Sequence, residues 1–221
     1  MTGKERLLSI DTCGETAGVA LSVGQQVLIT EDLVRGSASA EIFSAVRRLL
    51  ERMGWRLAVL DAVGVVSGPG SFTGMRAGLA AAKGLGEASG LPLAAVSRLE
   101  VLAEAACLQD GFAALDAGRG ELYVREQRSG REWLCSSDDL IAIVRDRKNE
   151  RIVVAEERLA ERLAECDVLL RPLHVSDALG VVLRRLREGG SEVSLTDANY
   201  VREESDIYSQ SSGRKAAGVK R

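Results

Sequence analysis

Two short stretches of the sequence bring together residue types that could do chemistry. Asp11 and Thr12 follow the apolar run Leu7 to Ile10 and set a carboxylate and a hydroxyl beside the amides of a tight turn. That arrangement suits a Mg-phosphate contact, and a capped hairpin turn explains the same two residues. The second stretch is Ser67-Gly68-Pro69-Gly70-Ser71-Phe72-Thr73-Gly74, where glycines and a proline interrupt a strand-to-helix junction. Its glycines permit backbone shapes closed to other residues. The amides that open the following helix would hold an anion, with Arg76 adding charge. No lysine follows the glycines, which excludes a simple P-loop. Turn chemistry is the favoured reading of Asp11 and Thr12, with a vestigial phosphate site at Asp11, Thr12, Gly70 and Ser71 as the lesser alternative, alongside a contact role for the loop.

The remaining candidates offer less. Ser71 and Thr73 carry hydroxyls, but no basic group stands at a useful position to activate them. Asp116 and Glu121 would form a carboxylate pair, yet neither has a histidine neighbour or an identifiable nucleophile, so turn and lobe-contact roles are favoured. His174 is the only histidine, which reduces Ser-His-Asp triads to one candidate and removes multi-histidine metal motifs. Flanked by Pro172, Ser176 and Asp177, it reads as the start of a helix. The cysteines Cys13, Cys107, Cys135 and Cys166 form no C-x-x-C pair and read as reduced intracellular thiols rather than zinc ligands. The expectation is therefore no catalytic residue, no cofactor and no metal.

Charge narrows the partners. With 29 lysines and arginines against 32 acidic residues, a formal charge of -3, the chain has no global attraction to nucleic-acid phosphates. The one-sided cluster Arg214, Lys215, Lys220 and Arg221 lies in a polar tail, 201–221, read as solvated and flexible, with an RNA-touching arm as the lesser alternative. The Leu7 to Ile10 run is too short for a signal-peptide core and no later run approaches a membrane span, so a cytoplasmic protein without membrane contact is expected.

The elements that must position these residues follow from periodicity. Leu7 to Ile10 and Ala17 to Val23 read as strands joined by a polar turn, with Val27 to Glu31 continuing the meander. Ile42, Phe43, Ala45, Val46, Leu49, Leu50 and Met53 recur at helical spacing between Ser39 and Gly54. Ala62 to Val66 is a nearly continuous apolar run, as in a buried strand, and feeds the glycine loop. The pattern then predicts a helix over Gly74 to Ala88, a strand over Leu93 to Val96, and a capping box, Ser97-Arg98-Leu99-Glu100, opening a helix through Cys107. A second unit begins near Phe112, because Ala114 to Val124 echoes Ser9 to Val19: a strand ends on an aspartate, a small-residue turn follows, and a strand returns. Strands at 132–135, 152–155 and 168–170 and helices at 138–145, 157–165 and 178–187 complete it, the last helix closed by Gly189-Gly190. Two mixed α/β lobes result, at 1–108 and 109–200.

Within the helix after the loop, Gly74, Gly78, Ala82 and Gly86 recur every four residues. Such a stripe costs helix propensity and lets another helix approach closely, either inside the lobe or across a four-helix seam with a partner.

Ile10-Asp11-Thr12, the block Ser67 to Gly78, and Ala82-Lys83-Gly84-Leu85 closely resemble the bacterial TsaB (YeaZ) family. Ser97 to Glu100, Asp116-Ala117, Gly120 to Tyr123 and Tyr200-Val201-Arg202 extend the resemblance over nearly the whole chain. It implies an actin-like, Hsp70-like (ASKHA) two-lobe α/β fold, each lobe a mixed sheet flanked by helices. It also implies a non-catalytic subunit required to form N6-threonylcarbamoyladenosine at position 37 of tRNAs reading ANN codons. In the family resembled, a TsaD-type transferase paralogue carries the chemistry, a TsaE-type ATPase joins the pair, and tRNA is met through the complex. A homodimer forms when the subunit is alone. Pairing would use Ile42, Phe43, Val46 and Leu50 of the first helix, with Gly70, Ser71, Phe72, Thr73, Gly74, Arg76, Gly78 and Ala82 of the loop and second helix. The sequence departs from the family pattern at Ala38, often histidine, at Gly118, often arginine with Arg119 one position on, and at Ala198, often proline. Val154-Ala155-Glu156 lacks a glycine common there. The rival readings are an ATP-dependent phosphotransferase of the same fold and a glycoprotease-like peptidase.

Overall fold

A computed structural model describes residues 4–34, 38–147 and 150–189. Its chain forms two five-stranded sheets with the same plan. The first contains β1 (Arg6–Asp11), β2 (Ala17–Val23), β3 (Gln26–Leu33), β4 (Ala62–Val66) and β5 (Leu93–Val96), in the order β3-β2-β1-β4-β5. The second contains β6 (Phe112–Gly118), β7 (Glu121–Glu126), β8 (Glu132–Ser136), β9 (Ile152–Val154) and β10 (Val168–Leu170), in the order β10-β9-β6-β7-β8. In each, the first three strands are antiparallel neighbours and the last two run parallel to the first.

The echo between Ser9–Val19 and Ala114–Val124 is thus a repeated unit, and its aspartates do the same local work. Asp11 Oδ1 accepts the Cys13 backbone N–H at 2.9 Å, and Asp116 Oδ1 accepts that of Gly118 at 3.0 Å. Each carboxylate closes the turn that lets its strand double back.

Helices cover both faces of the sheets. α1 (Ala38–Met53) and α2 (Phe72–Ser89) lie on one side of the first sheet, burying Ile42, Ala45, Val46, Leu49 and Leu50 with Leu79, Ala82 and Leu85 against Leu8, Ile10, Val63 and Val65. Gly54 ends α1 in the left-handed conformation, φ +64°, which lets Trp55 N–H bond back to Leu50 O at 2.8 Å. On the sheet's other face lies α6 (Ala178–Arg187), whose Val182 leaves no room for a side chain at Gly64: a Cβ there would stand 2.6 Å from Cγ2. α6 was expected within the second lobe, but its apolar face packs on β4 and β5 and completes the first.

α3 (Arg98–Ala105) packs on α6 and on β6, β7 and β9, so one apolar layer joins the lobes. The outer face of the second sheet carries α4 (Ser137–Asp146) and α5 (Glu157–Arg162). Along β6 the faces alternate, Ala113 and Leu115 toward the shared layer and Phe112 and Ala114 toward α4 and α5. Gly190, Ala198, Tyr200-Val201-Arg202 and the basic tail lie outside the described residues.

Candidate functional site

Because β4 runs parallel beside β1, the turn after Asp11 and the glycine loop after Val66 leave the sheet side by side. They are stitched together: Ser71 N–H donates to Cys13 O at 2.8 Å, Thr12 Oγ1 donates to Gly74 O at 2.6 Å, and Cys13 Sγ contacts Val66 O at 3.1 Å. Ser71 caps α2, its hydroxyl accepting the Gly74 N–H at 3.2 Å.

The glycine ladder serves this junction. A Cβ would stand 2.3 Å from Cys13 O at Gly70, 1.9 Å from Thr12 O at Gly74 and 2.3 Å from Thr12 Oγ1 at Gly78. The close approach at Gly70, Gly74 and Gly78 is therefore made by the chain's own turn, and Gly78 and Ala82 are buried inside the lobe, Ala82 in the apolar cluster shared with α1. The same correction applies to Ile42, Val46 and Leu50, which face the core under α1 because their helical spacing is what closes it. Of the residues expected at a partner seam, Phe43, Ser71, Phe72, Thr73 and Arg76 are exposed. The Arg76 guanidinium lies 3.9 Å from the centre of the Phe72 ring. The stripe of small residues that does face outward on α2 is Ala80, Gly84 and Ala88, flanked by Arg76, and a Cβ at Gly84 would meet nothing within 4 Å.

Between the lobes lies a cleft of about 330 Å³, bounded by Thr12, Cys13, Gly14, Glu15, Ser39, Gly70, Ser71, Thr73, Gly74 and Arg98 on one side and Asp116 and Glu156 on the other. Thr12, Gly70 and Ser71 thus meet at a cleft. Asp11 does not line it; the carboxylate is buried beneath the turn and engaged by Cys13 N–H. Burial raises its pKa, while Arg98 and the Cys13 hydrogen bonds pull the other way. Burial also pushes the Cys13 thiol well up, with Asp11 adding to it.

Asp116 takes the favoured turn role, accepting the Gly118 N–H, and it borders the cleft and pairs at 3.4 Å with Arg162; Glu121 does not line the cleft. His174 is exposed away from the cleft, where it opens a short 3-10 turn and its N–H donates to Asp177 Oδ2 at 2.8 Å. Among the described residues no group of three or more His, Cys, Asp or Glu side chains is placed to hold a metal ion, and no helix is long and apolar enough to cross a membrane.

Sequence reasoning missed the two groups that dominate the cleft. Arg98 is buried, its backbone N–H bonds Gly68 O at 2.6 Å, and its guanidinium lies against Gly14 and reaches Glu156 Oε1 at 3.6 Å. Read from the sequence, Arg98 was only the second residue of a capping box. That box is half formed: Ser97 Oγ accepts Leu99 N–H at 3.2 Å and donates to Glu132 Oε1 at 2.5 Å, while Glu100 pairs with Arg184 and Arg185 of α6.

The chain matches the family described as tRNA N6-adenosine threonylcarbamoyltransferase, TsaD, over residues 34–174. It is 32% identical over 144 residues to the tRNA threonylcarbamoyladenosine biosynthesis protein TsaB of Escherichia coli. The chain belongs to this TsaD family, and it is similar to the TsaB (YeaZ) proteins. The Escherichia coli match covers 63% of this chain and 62% of that protein; the Bacillus subtilis TsaB match, 36% identical, covers 53% and 52%. The chain thus spans about half to three fifths of the length of these curated relatives. The solved YeaZ of Pseudomonas aeruginosa superposes with a TM-score of 0.73 at 26% identity, over 89% of this chain and 99% of that one. The actin-like fold is shared with the 2-hydroxyisocaproyl-CoA dehydratase activator of Clostridium difficile, solved with bound ADPNP, at a TM-score of 0.51 and 10% identity over 83% and 95% of the two chains.

Proposed function

We propose that the chain is a non-catalytic scaffold and activator in forming N6-threonylcarbamoyladenosine at position 37 of tRNAs that read ANN codons. It pairs with a TsaD-type transferase, with a TsaE-type ATPase completing the cytoplasmic assembly and tRNA met through the complex. Membership of the TsaD family and similarity to TsaB proteins support the pathway. The observation that carries the accessory role is the state of three nucleophile-bearing residues of the cleft wall, Ser71, Thr12 and Cys13. The Ser71 hydroxyl caps a helix, the Thr12 hydroxyl is bonded to Gly74 O, and the Cys13 thiol is buried with its pKa pushed up. The single histidine is elsewhere.

The surface that supports pairing is the outer face of α1 and α2, where Phe43 and Phe72 are large exposed apolar side chains and Ala80, Gly84 and Ala88 leave α2 smooth. Aromatic anchors beside small residues suit helix-to-helix docking. The test is to mix the chain with a TsaD-type partner and measure complex size. A 1:1 complex that is lost in Phe43→Asp and Phe72→Asp, with folding unchanged, is expected. A complex indifferent to both variants would refute the docking face, and a homodimer that the partner cannot displace would assign the face to self-association.

A further inference from the structure

The interlobe cleft is assembled from parts that ordinarily hold an anion. α2 begins there behind Ser71, Ser39 of the first turn of α1 borders it, and the Arg98 guanidinium forms its floor. The Arg98 side chain is only 9% exposed, and its Nε has no hydrogen-bond partner. A buried guanidinium with an unused donor is costly unless an acceptor stands near.

The group that stands near is a residue of the other lobe. Glu156, at the start of α5, brings Oε1 to 3.6 Å from Arg98 Nη1, and its Oε2 is itself buried without a partner. Each group thus keeps one buried polar atom without a partner, although the Glu156 carboxyl also takes a backbone hydrogen bond at Asp116.

The residues present do not fit a nucleotide polyphosphate with its metal ion. Glu15, Asp116 and Glu156 face the cleft against the one guanidinium. Asp11, the carboxylate that would have to reach the metal, is buried, bonded to Cys13 N–H and absent from the cleft wall. The turn at Gly14 is pressed onto Arg98, where a Cβ would stand 2.5 Å from Nη2, so the guanidinium fills space beside the turn.

We propose that Glu156 is a built-in counter-anion, occupying beside Arg98 the position a phosphate group would take, so that the lobes close on an internal ion pair and the cleft refuses nucleotide. This reading goes beyond the accessory role and does not depend on it. The carboxylate crosses from one sheet unit to the other, so the same contact that repels an incoming anion also ties the lobes. Asp116, itself paired at 3.4 Å with Arg162, borders the same cleft and adds negative charge to its wall.

The test is calorimetric titration of the full chain with inorganic phosphate and with ATP, with and without Mg. The wild-type chain is expected to show no saturable binding of either. Glu156→Gln, which keeps the shape and removes the charge, should bind phosphate saturably, about tenfold or more tighter than the weakest affinity the titration detects, since a like charge at contact range is removed and Arg98 is left seeking an anion. Adding Arg98→Gln to that variant should abolish the gain. Asp116→Asn, at an exposed position, should give a smaller gain and provides the reading if Glu156→Gln does not fold by circular dichroism. Saturable ATP binding by the wild-type chain would overturn the proposal, as would folded variants that bind phosphate no better than wild type.

Discussion

Gly78→Ala and Gly84→Ala should move stability in opposite directions, although both place a methyl group in the same helix. At Gly78 the new Cβ would stand 2.3 Å from Thr12 Oγ1 and 3.7 Å from Ile10 Cγ2. Exchanging glycine for alanine within a helix favours folding by about 1 kcal/mol. Overpacking opposes it by about 1–3 kcal/mol, and displacing the Thr12 hydroxyl from Gly74 O, now 2.6 Å away, forfeits about 1 kcal/mol more. The balance is a loss of about 1–3 kcal/mol. At Gly84 a Cβ meets nothing within 4 Å, so only the helix preference remains, a gain of about 0.5–1 kcal/mol. Thermal or urea melts at one protein concentration measure both, each kcal/mol moving the Tm by about 2–4 °C in a chain of this size. A Gly78→Ala protein as stable as wild type, or a Gly84→Ala protein less stable, would refute the assignment of the glycine ladder to the chain's own turn.

Further outcomes follow from the same geometry. Phe43→Asp should weaken partner binding by about tenfold or more while leaving the Tm of the isolated chain within about 1 °C, because the ring is 54% exposed and rests on no core; parallel binding isotherms and melts check it. Burial raises the Glu156 pKa, with Arg98 opposing, so its proton is held more tightly folded than unfolded. The stability that this contributes is full below the ordinary glutamate range and is lost as pH rises through the raised folded value. Melts of wild type and Glu156→Gln across that interval should show the difference shifting against wild type as pH rises; a difference flat in pH would contradict the burial. Glu100→Ala breaks its pairs with Arg184 and Arg185, both partly exposed, and should cost less than about 1 kcal/mol, shrinking in high salt; a larger, salt-independent loss in urea melts would be inconsistent with a solvent-screened pair.

Elements whose own residues settle their environment were legible from the sequence. Ala62–Val66, Leu93–Val96 and Ala178–Arg187 fall at the expected bounds, since continuous apolar runs make buried parallel strands and a clean helical period needs only a sheet to lie on. Which sheet was not legible: α6 returns to the first one, and Gly64 gives no sign until Val182 is seen above it. The glycine ladder was visible, but its direction was not, because a small residue records a close approach without naming what approaches. Arg98 and Glu156 were missed for a related reason. Both sit beside helix starts, where charged residues are ordinary, and only the meeting of two lobes turns them into a buried pair. A buried arginine has no local signature.

The central claim, an accessory subunit of tRNA threonylcarbamoylation, is tested most directly by reconstitution. Threonylcarbamoyl transfer to an ANN-reading tRNA is measured with this chain, a TsaD-type transferase and a TsaE-type ATPase, omitting each in turn. The account predicts no transfer by this chain alone, full transfer with all three, and a loss of activity when this chain is left out. Transfer by the chain alone, or undiminished transfer without it, would contradict the account.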